Sequence, residues 1–345
     1  MSIEIESSCF ENEVYENHSV SCIGGRDENQ DCCYSVMTPR GFLVIVSDGM
    51  GGMNGGATAS KLAVETISEY VNMPSMEDDI EDSNKLVLTK AICKANSRIM
   101  DEAENDSSLS GMGCTVTAVL INDDLATLAY VGDSRIYQLR SGKKVFRTFD
   151  HSMVFEMVRK KIITEEQARL SAQSNIILRA LGQKEDVQVD TFEQPYDKGD
   201  IFLLCTDGIW GTMSEKELIR RVCEKKRPKV VMESLARNIH QNAMAKGGGH
   251  DNLTAAMIVT SKNSKIRNKM EKKLKMALII ASTLLLVSIV ACAILVVKCT
   301  KYERSPIVEQ LDSLNVNVLN GNEAMMMDSD STFVTLKFKK HIINK

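Results

Sequence analysis

The chain is poor in proline, with 5 in 345 residues, and poor in aromatics, with 5% of that type and a single tryptophan. It has no low-complexity tract, and 43% of its residues are hydrophobic and 26% charged, so wholesale disorder and a fibrous repeat are excluded. Ten cysteines are scattered without a CxxC pair, which excludes a zinc ribbon and gives no disulfide framework. There is no excess of positive charge: the net is -4, and the part long enough to fold carries no basic stripe of the kind a nucleic-acid binder needs. The first 20 residues lack an apolar run and hold Glu4, Glu6, Glu11, Glu13 and Glu16, so no signal peptide is expected.

What is present divides the chain into unlike parts. From Met276 to Val297 there are 22 residues without a charge. A helix of that length is about 33 Å long, enough to cross a hydrocarbon core of about 30 Å. Its only polar side chains are Ser282, Thr283 and Ser288, fewer than a buried core helix usually keeps. A single membrane anchor is expected. Residues 1–261 hold 28 Lys+Arg and 39 Asp+Glu, a net of -11; residues 262–275 hold seven bases against Glu271; residues 298–345 are close to neutral. The expected organisation is a folded domain over 1–261, a basic juxtamembrane linker over 262–275, the transmembrane helix over 276–297 and a short extracytoplasmic tail over 298–345.

Within 1–261 the pattern is α+β. Gly41–Ser47 reads as a buried strand running into the Asp48-Gly49 turn. Ala59 to Val71 and Leu88 to Ile99 show helical spacing. Cys114–Ile121, Ala126–Val131, Ile136–Leu139 and Val145–Thr148 are strand-like, parted by turn signals, which predicts an antiparallel meander. A helical stretch is expected from Ser152 to Leu181, then strands at Val187–Phe192, Ile201–Thr206 and Leu253–Val259. Two helices lie between the last two strands, one opening with a capping box at Ser214 and Glu217. Strands grouped apart from helices predict layers rather than βαβ units.

The chemistry-bearing residues lie where strands end in acidic turns: Gln30-Asp31, Asp48-Gly49, Asp207-Gly208, and Asp251-Asn252 after three glycines. A fifth, Gly132-Asp133-Ser134-Arg135, is expected to close a hairpin. Glycine beside the aspartate lets the backbone turn and its carbonyl approach a ligand. Several carboxylates with no paired His or Cys suit hard, oxygen-ligated Mg²⁺ or Mn²⁺. Each Asp-Gly alone is a common turn; five in one domain point to a metal site.

The strings Arg26-x-x-Asn29-Gln30-Asp31, Val46-Ser-Asp-Gly-Met-Gly-Gly52, Gly113-Cys-Thr115, Tyr130-Val-Gly-Asp-Ser-Arg135, Asp150-His-Ser152, Leu178-Arg-Ala-Leu-Gly182, Leu204-Cys-Thr-Asp-Gly208 and Gly249-His-Asp-Asn252 occur in this order. Over residues 15 to 260 they resemble the metal-dependent Ser/Thr protein phosphatases (PPM, type 2C), especially the compact bacterial kind. The resemblance implies a four-layer αββα sandwich, two antiparallel β-sheets flanked by helices, with the metal centre at one end. It also implies two Mn²⁺ or Mg²⁺ ions and, in bacterial members, a third. Asp48 then matches the bridging ligand, the Gly49 carbonyl a ligand of one ion, and Asp207 and Asp251 the ligands of the other. Asp31 matches an acid that holds metal-bound water, and Asp133, with Asp207, the third-ion ligand. Arg26 would grip the substrate phosphate, while Gln30 and Asn252 would steady the site from behind. The implied reaction is hydrolysis of phosphoserine and phosphothreonine by a metal-bridging hydroxide, with no protein nucleophile.

The chain departs from the family at Gln30, where many relatives have Glu, and at Met50, where many eukaryotic members have a histidine assigned as general acid. His250 is a candidate replacement, but a buried structural histidine is the favoured reading. The Ser152–Ser174 region resembles the mobile flap but lacks its His-Pro. A cysteine phosphatase is excluded, since no cysteine is preceded by His and followed six residues later by Arg. Asp328–Thr332 fits a haloacid-dehalogenase nucleophile motif with too little chain after it, and Gly51–Gly56 lacks the Gly-Lys-Ser/Thr ending of a P-loop. The reading from a different class is a membrane-tethered phosphoprotein-binding scaffold without activity. Expected partners are phosphoproteins, a membrane Ser/Thr kinase with its substrates, and the bilayer.

Overall fold

The computed structural model describes residues 3–51, 55–73 and 83–302, and the backbone of short strands at 317–318, 323–327 and 333–337. Gly52 to Asn54 and Asp328 to Thr332 lie outside the described residues. Two compact units are present, Met1–Glu271 and Lys272–Lys345.

The first unit runs β1 (Glu6–Glu11), β2 (Tyr15–Cys22), β3 (Asp31–Thr38), β4 (Gly41–Met50), α1 (Gly55–Asn72), α2 (Asn84–Asn105), β5 (Gly113–Cys114), β6 (Val116–Ile121) and β7 (Ala126–Val131). It continues through β8 (Arg135–Arg140), β9 (Lys143–Arg147), α3 (Met153–Arg159), α4 (Glu165–Arg169), β10 (Asp190–Gln194), β11 (Ile201–Cys205) and α5 (Asp207–Trp210). Then follow α6 (Glu215–Val222), α7 (Pro228–Met244), β12 (Leu253–Thr260) and the start of α8 (Lys265–Tyr302). One antiparallel sheet has the order β1-β2-β12-β11-β8-β9, the other β10-β7-β6-β4-β3 with β5 paired to the end of β4.

Alternation along the strands builds the layers. In β4, Phe42, Val44 and Val46 point into the core between the sheets, while Leu43 and Ile45 point outward under α1 and α2. A strand covered on both faces reads as an unbroken apolar run, which is why this one was legible. Fully burying a side chain such as Phe42 contributes about 1.5–3 kcal/mol. The sheet of β2, β12, β11 and β8 is covered by α3, α5, α6 and α7 around Phe155, Trp210, Leu218 and Leu235. The expected four-layer sandwich is therefore present.

Three local expectations change. Strands β6 and β7 pair, and β8 and β9 pair, but β7 and β8 belong to different sheets. Gly132-Asp133-Ser134 is thus a crossing between sheets, not a hairpin. Its geometry needs glycine: Gly132 has φ +108°, and a Cβ there would stand 2.6 Å from the Thr115 side chain. The Ser152–Leu181 stretch holds only α3 and α4. Lys161 sits at φ 58° and ends the first, and a capping box at Thr164 and Gln167 opens the second. The remainder is pulled into isolated bridges, Ile177 to Ser152 and Leu181 to Cys114. At Ser214 only half of the capping box forms: its hydroxyl accepts from the Glu217 N–H, while the Glu217 carboxylate pairs with Arg220 and Arg221.

The chain after β12 stays part of the first unit. The Ser264 N–H donates to the Tyr196 carbonyl, and Lys262 and Lys265 pair with Asp123 at 3.0 and 3.5 Å. Arg267 pairs with Asp197 at 2.7 Å. Lys265–Cys299 is helical, long and apolar enough to cross a membrane. Beyond it, Glu323–Met327 and Phe333–Lys337 pair as antiparallel strands.

Candidate metal centre

Every acidic turn singled out in the sequence comes to one end of the sandwich. Asp48 lies near the end of β4, Asp31 begins β3, Asp207 opens α5 two residues after the end of β11, and Asp251 lies two residues before the start of β12. Asp133 arrives on the crossing from β7 to β8. Burial, then repulsion from Asp31, Asp207, Asp133 and Asp251, holds the Asp48 carboxyl well above the ordinary carboxylate range. Burial is also the first cause at Asp31, pushed up to about 7, and at Asp207, pushed up to about 6. Asp133 is raised by burial and by the nearby Asp207 and Asp150. Four carboxylates crowded in this way, with Asp251 at their edge, are costly unless cations offset them.

The donors fit such cations. Asp133 Oδ1 is a buried carboxylate oxygen without a hydrogen-bond partner. Gly49 lies beside Asp48, where a Cβ would stand 2.0 Å from the Gly56 carbonyl oxygen. Among the described residues, no three His, Cys, Asp or Glu side chains stand close enough to enclose an ion unaided. Hydrated Mg²⁺ or Mn²⁺ needs no such cage, because backbone carbonyls and waters complete the shell.

The supports are specific. Thr206 Oγ1 donates to Asp31 Oδ2 at 3.0 Å. Thr115 accepts from the Asp48 N–H through its hydroxyl at 3.0 Å, and its own N–H donates to the Asp48 carbonyl at 2.8 Å. The same hydroxyl meets Ser134 at 2.7 Å, joining the end of β4 to the crossing that carries Asp133. Asn252 accepts from the Gln30 N–H at 2.9 Å and donates to the Ile23 and Glu28 carbonyls at 2.8 and 2.9 Å. It therefore ties down the loop bearing Arg26. Gln30 acts through its backbone, its carbonyl accepting from the Gly49 N–H and from the Ser60 hydroxyl.

Arg26 Nη2 donates to Asp251 Oδ2 at 2.8 Å, with both side chains substantially exposed. The guanidinium stands at the mouth of the carboxylate cluster, where an incoming dianion would meet it. His250 turns away, toward His240 on α7, with Nδ1 of His240 and Nε2 of His250 3.1 Å apart. That is the structural reading of this histidine.

Other supports were not singled out in the sequence. Arg135 forms a buried two-point pair with Asp150, 2.9 and 2.7 Å, and stacks 3.6 Å from the Trp210 ring. His151 accepts from the Gly132 N–H at 3.1 Å on Nδ1 and meets Asp190 at 3.1 Å on Nε2. Both brace the crossing around Asp133. Their only signal was a place inside the Gly-Asp-Ser-Arg and Asp-His-Ser strings.

The sequence profile of the family described as Protein phosphatase 2C matches residues 20–247. The serine/threonine phosphatase stp of Listeria innocua is 34% identical over 235 residues, covering 68% of this chain and 88% of that protein. The serine/threonine protein phosphatase PstP of Mycobacterium tuberculosis is 32% identical over 234 residues, 67% of this chain and 42% of its own length. A crystal structure of the Mycobacterium tuberculosis phosphatase PstP/Ppp superimposes with a TM-score of 0.60 at 29% identity, covering 71% of this chain and 98% of that one. The PstP catalytic domain in complex with two manganese ions gives 0.59 at 28% identity, covering 72% and 99%. With two thirds of its length matched by the family profile, this chain belongs to the protein phosphatase 2C family, the manganese- or magnesium-dependent enzymes that dephosphorylate serine and threonine in proteins.

Proposed function

We propose that the chain is a membrane-anchored phosphatase of phosphoserine and phosphothreonine proteins whose centre is built from Asp48, Asp207 and Asp251 with the Gly49 carbonyl. The observation that carries this is the convergence of five aspartates at one end of the sandwich, four of which, Asp31, Asp48, Asp133 and Asp207, are held toward their acid forms by burial and mutual repulsion. Asp31 positions water, and Asp133 with Asp207 offers a third, weaker site. Two bound Mn²⁺ or Mg²⁺ ions supply Lewis acidity and an acidified water. Arg26 orients the phosphate through paired N–H donors. Asn252 keeps the Arg26 loop in register with Asp251, and Met50 gives no proton, so the leaving group draws its proton from solvent.

No thiol competes as nucleophile among the described core cysteines, because burial pushes Cys22, Cys33, Cys114 and Cys205 up to about 12. Residues 1–261 are assigned to catalysis, 262–275 to a basic linker, 276–297 to the span and 298–345 to the outer tail. The linker bases add attraction to anionic lipid, about 1 kcal/mol each near the surface. Clients are therefore membrane-proximal, a membrane Ser/Thr kinase and its targets among them. Calorimetric titration of the metal-free full chain with Mn²⁺, followed by release of phosphate from a phosphothreonine peptide, tests the reading. Binding of the phosphopeptide without turnover in Mn²⁺ would convert it to the scaffold alternative.

A further inference from the structure

A groove of about 600 Å³ starts at Asp31 and runs along the outside of β3. Four successive β3 residues line it: Asp31, Cys32, Cys33 and Tyr34. Side chains of a strand alternate between its faces, so four in a row share one cavity only along the strand's backbone edge. The opposite wall is one face of α1, repeating every third or fourth residue from Ala57 to Glu69. β3 is the last strand of its sheet, and among the described residues no strand pairs with its outer edge. An open backbone edge facing a helix is a slot for an added strand.

We propose that this slot takes an extended segment of the substrate protein, adding it as a strand beside β3 and leading its phosphoresidue to the carboxylate cluster that begins at Asp31. The proposal rests on the phosphatase reading above and adds a substrate class to it. The helical wall is about 18 Å long, room for about five extended residues. Charge then selects the sequence. Glu65 and Glu69 line the slot with side chains 43% and 63% exposed, against Lys61 as its one basic lining residue. Lys61 lies 4.0 Å from Glu65 and Arg98 3.5 Å from Glu69, loose exposed pairs that contribute little and yield to an incoming base. The fitting partner is a phosphopeptide with Lys or Arg beside the phosphoresidue. Tyr34, exposed on the strand wall, adds an apolar contact.

The test uses the full chain in detergent with Mn²⁺ and two phosphothreonine peptides, alike except for Lys or Glu in the five flanking positions. The basic peptide should show a KM about tenfold lower. Combining Glu65→Lys with Glu69→Lys should erase that difference and leave kcat/KM for p-nitrophenyl phosphate unchanged. N-methylating alternate backbone amides of the basic peptide should raise its KM, since only strand addition uses those donors. Equal KM values for the two peptides, or indifference to N-methylation, would overturn the proposal. So would a dimer dispersed by Glu65→Lys, which would give the slot to a second copy of the chain. If p-nitrophenyl phosphate itself is not hydrolysed, the catalytic reading fails alone. Fluorescence anisotropy of the unphosphorylated basic peptide then decides on the slot: binding weakened by the double variant supports it, and no binding overturns it.

Discussion

Asp31 and Asp48 stand directly opposite each other in the antiparallel register of β3 and β4. Like charges in that position destabilise a sheet, and here they meet at the mouth of the sandwich, Asp31 buried and Asp48 half-buried. The pair is stable only as acids or beneath cations.

The metal-free protein should therefore lose stability as pH rises. Asp31 and Asp207 bind protons more tightly folded, near pH 7 and 6, than near 3.8 when unfolded. Their contribution is full below about 3.8 and is lost as pH climbs through those folded values. Urea midpoints of the metal-free chain should fall between pH 5 and 8, less in Asp31→Asn, and Mn²⁺ should remove most of the fall. An Asp31→Asn midpoint that drops as steeply as wild type would refute the assignment of the strain.

Removing ligands tests the chemistry itself. Chelator should abolish phosphopeptide hydrolysis, and Asp48→Asn or Asp207→Asn should cost about a thousandfold or more in kcat. Cys114→Ser should keep activity, because that thiol is buried, leans on the Ala59 carbonyl and Ser47, and burial pushes it up to about 12. Undiminished turnover in excess EDTA would sink the mechanism.

Arg26→Ala should raise KM for a phosphopeptide about fivefold or more. The same change frees Asp251 from its 2.8 Å partner, so Mn²⁺ affinity measured by calorimetry should not weaken. A variant with weaker metal binding and unchanged KM would reassign Arg26 to holding Asp251.

Asn252 joins three backbone groups of the 23–30 loop while nearly buried. Asn252→Ala strands those groups and should cost about 2–3 kcal/mol of stability. Because the loop carries Arg26, kcat/KM should fall with it. Stability at the wild-type value in denaturant melts would show that water replaces the amide.

Much of this was readable in the chain because it is written in apolar runs and Asp-Gly turns. β4, β6, β7 and β11 are buried on both faces, and Asp48 and Asp207 follow such runs. β1, β2 and β3 were not legible. β2 buries Asn17, His18 and Ser19, so no hydrophobic alternation marks it, and β1 is a polar edge strand. The position of Asp133 was legible as a turn, but its crossing between sheets depends on Thr115, 18 residues earlier. The supports Arg135–Asp150 and His151–Asp190 arise from contacts between distant elements, which spacing cannot encode.

The proposed membrane anchor carries a prediction of orientation, drawn from charge. Residues 262–275 carry seven Lys and Arg, against Lys298, Lys301 and Arg304 just after the span and none in the next thirty positions. Of the seven, Lys262, Lys265 and Arg267 already pair with Asp123 and Asp197 of the catalytic unit. The base-rich flank of a span stays in the cytoplasm. The proposed anchor therefore predicts the phosphatase unit inside, where thiols stay reduced and phosphoproteins are at hand, and residues 298–345 outside. Protease added to intact cells or spheroplasts should remove epitopes placed after Val297 and spare the catalytic unit. Detergent should expose both. Digestion of the catalytic unit before lysis would reverse the orientation and remove its cytoplasmic clients.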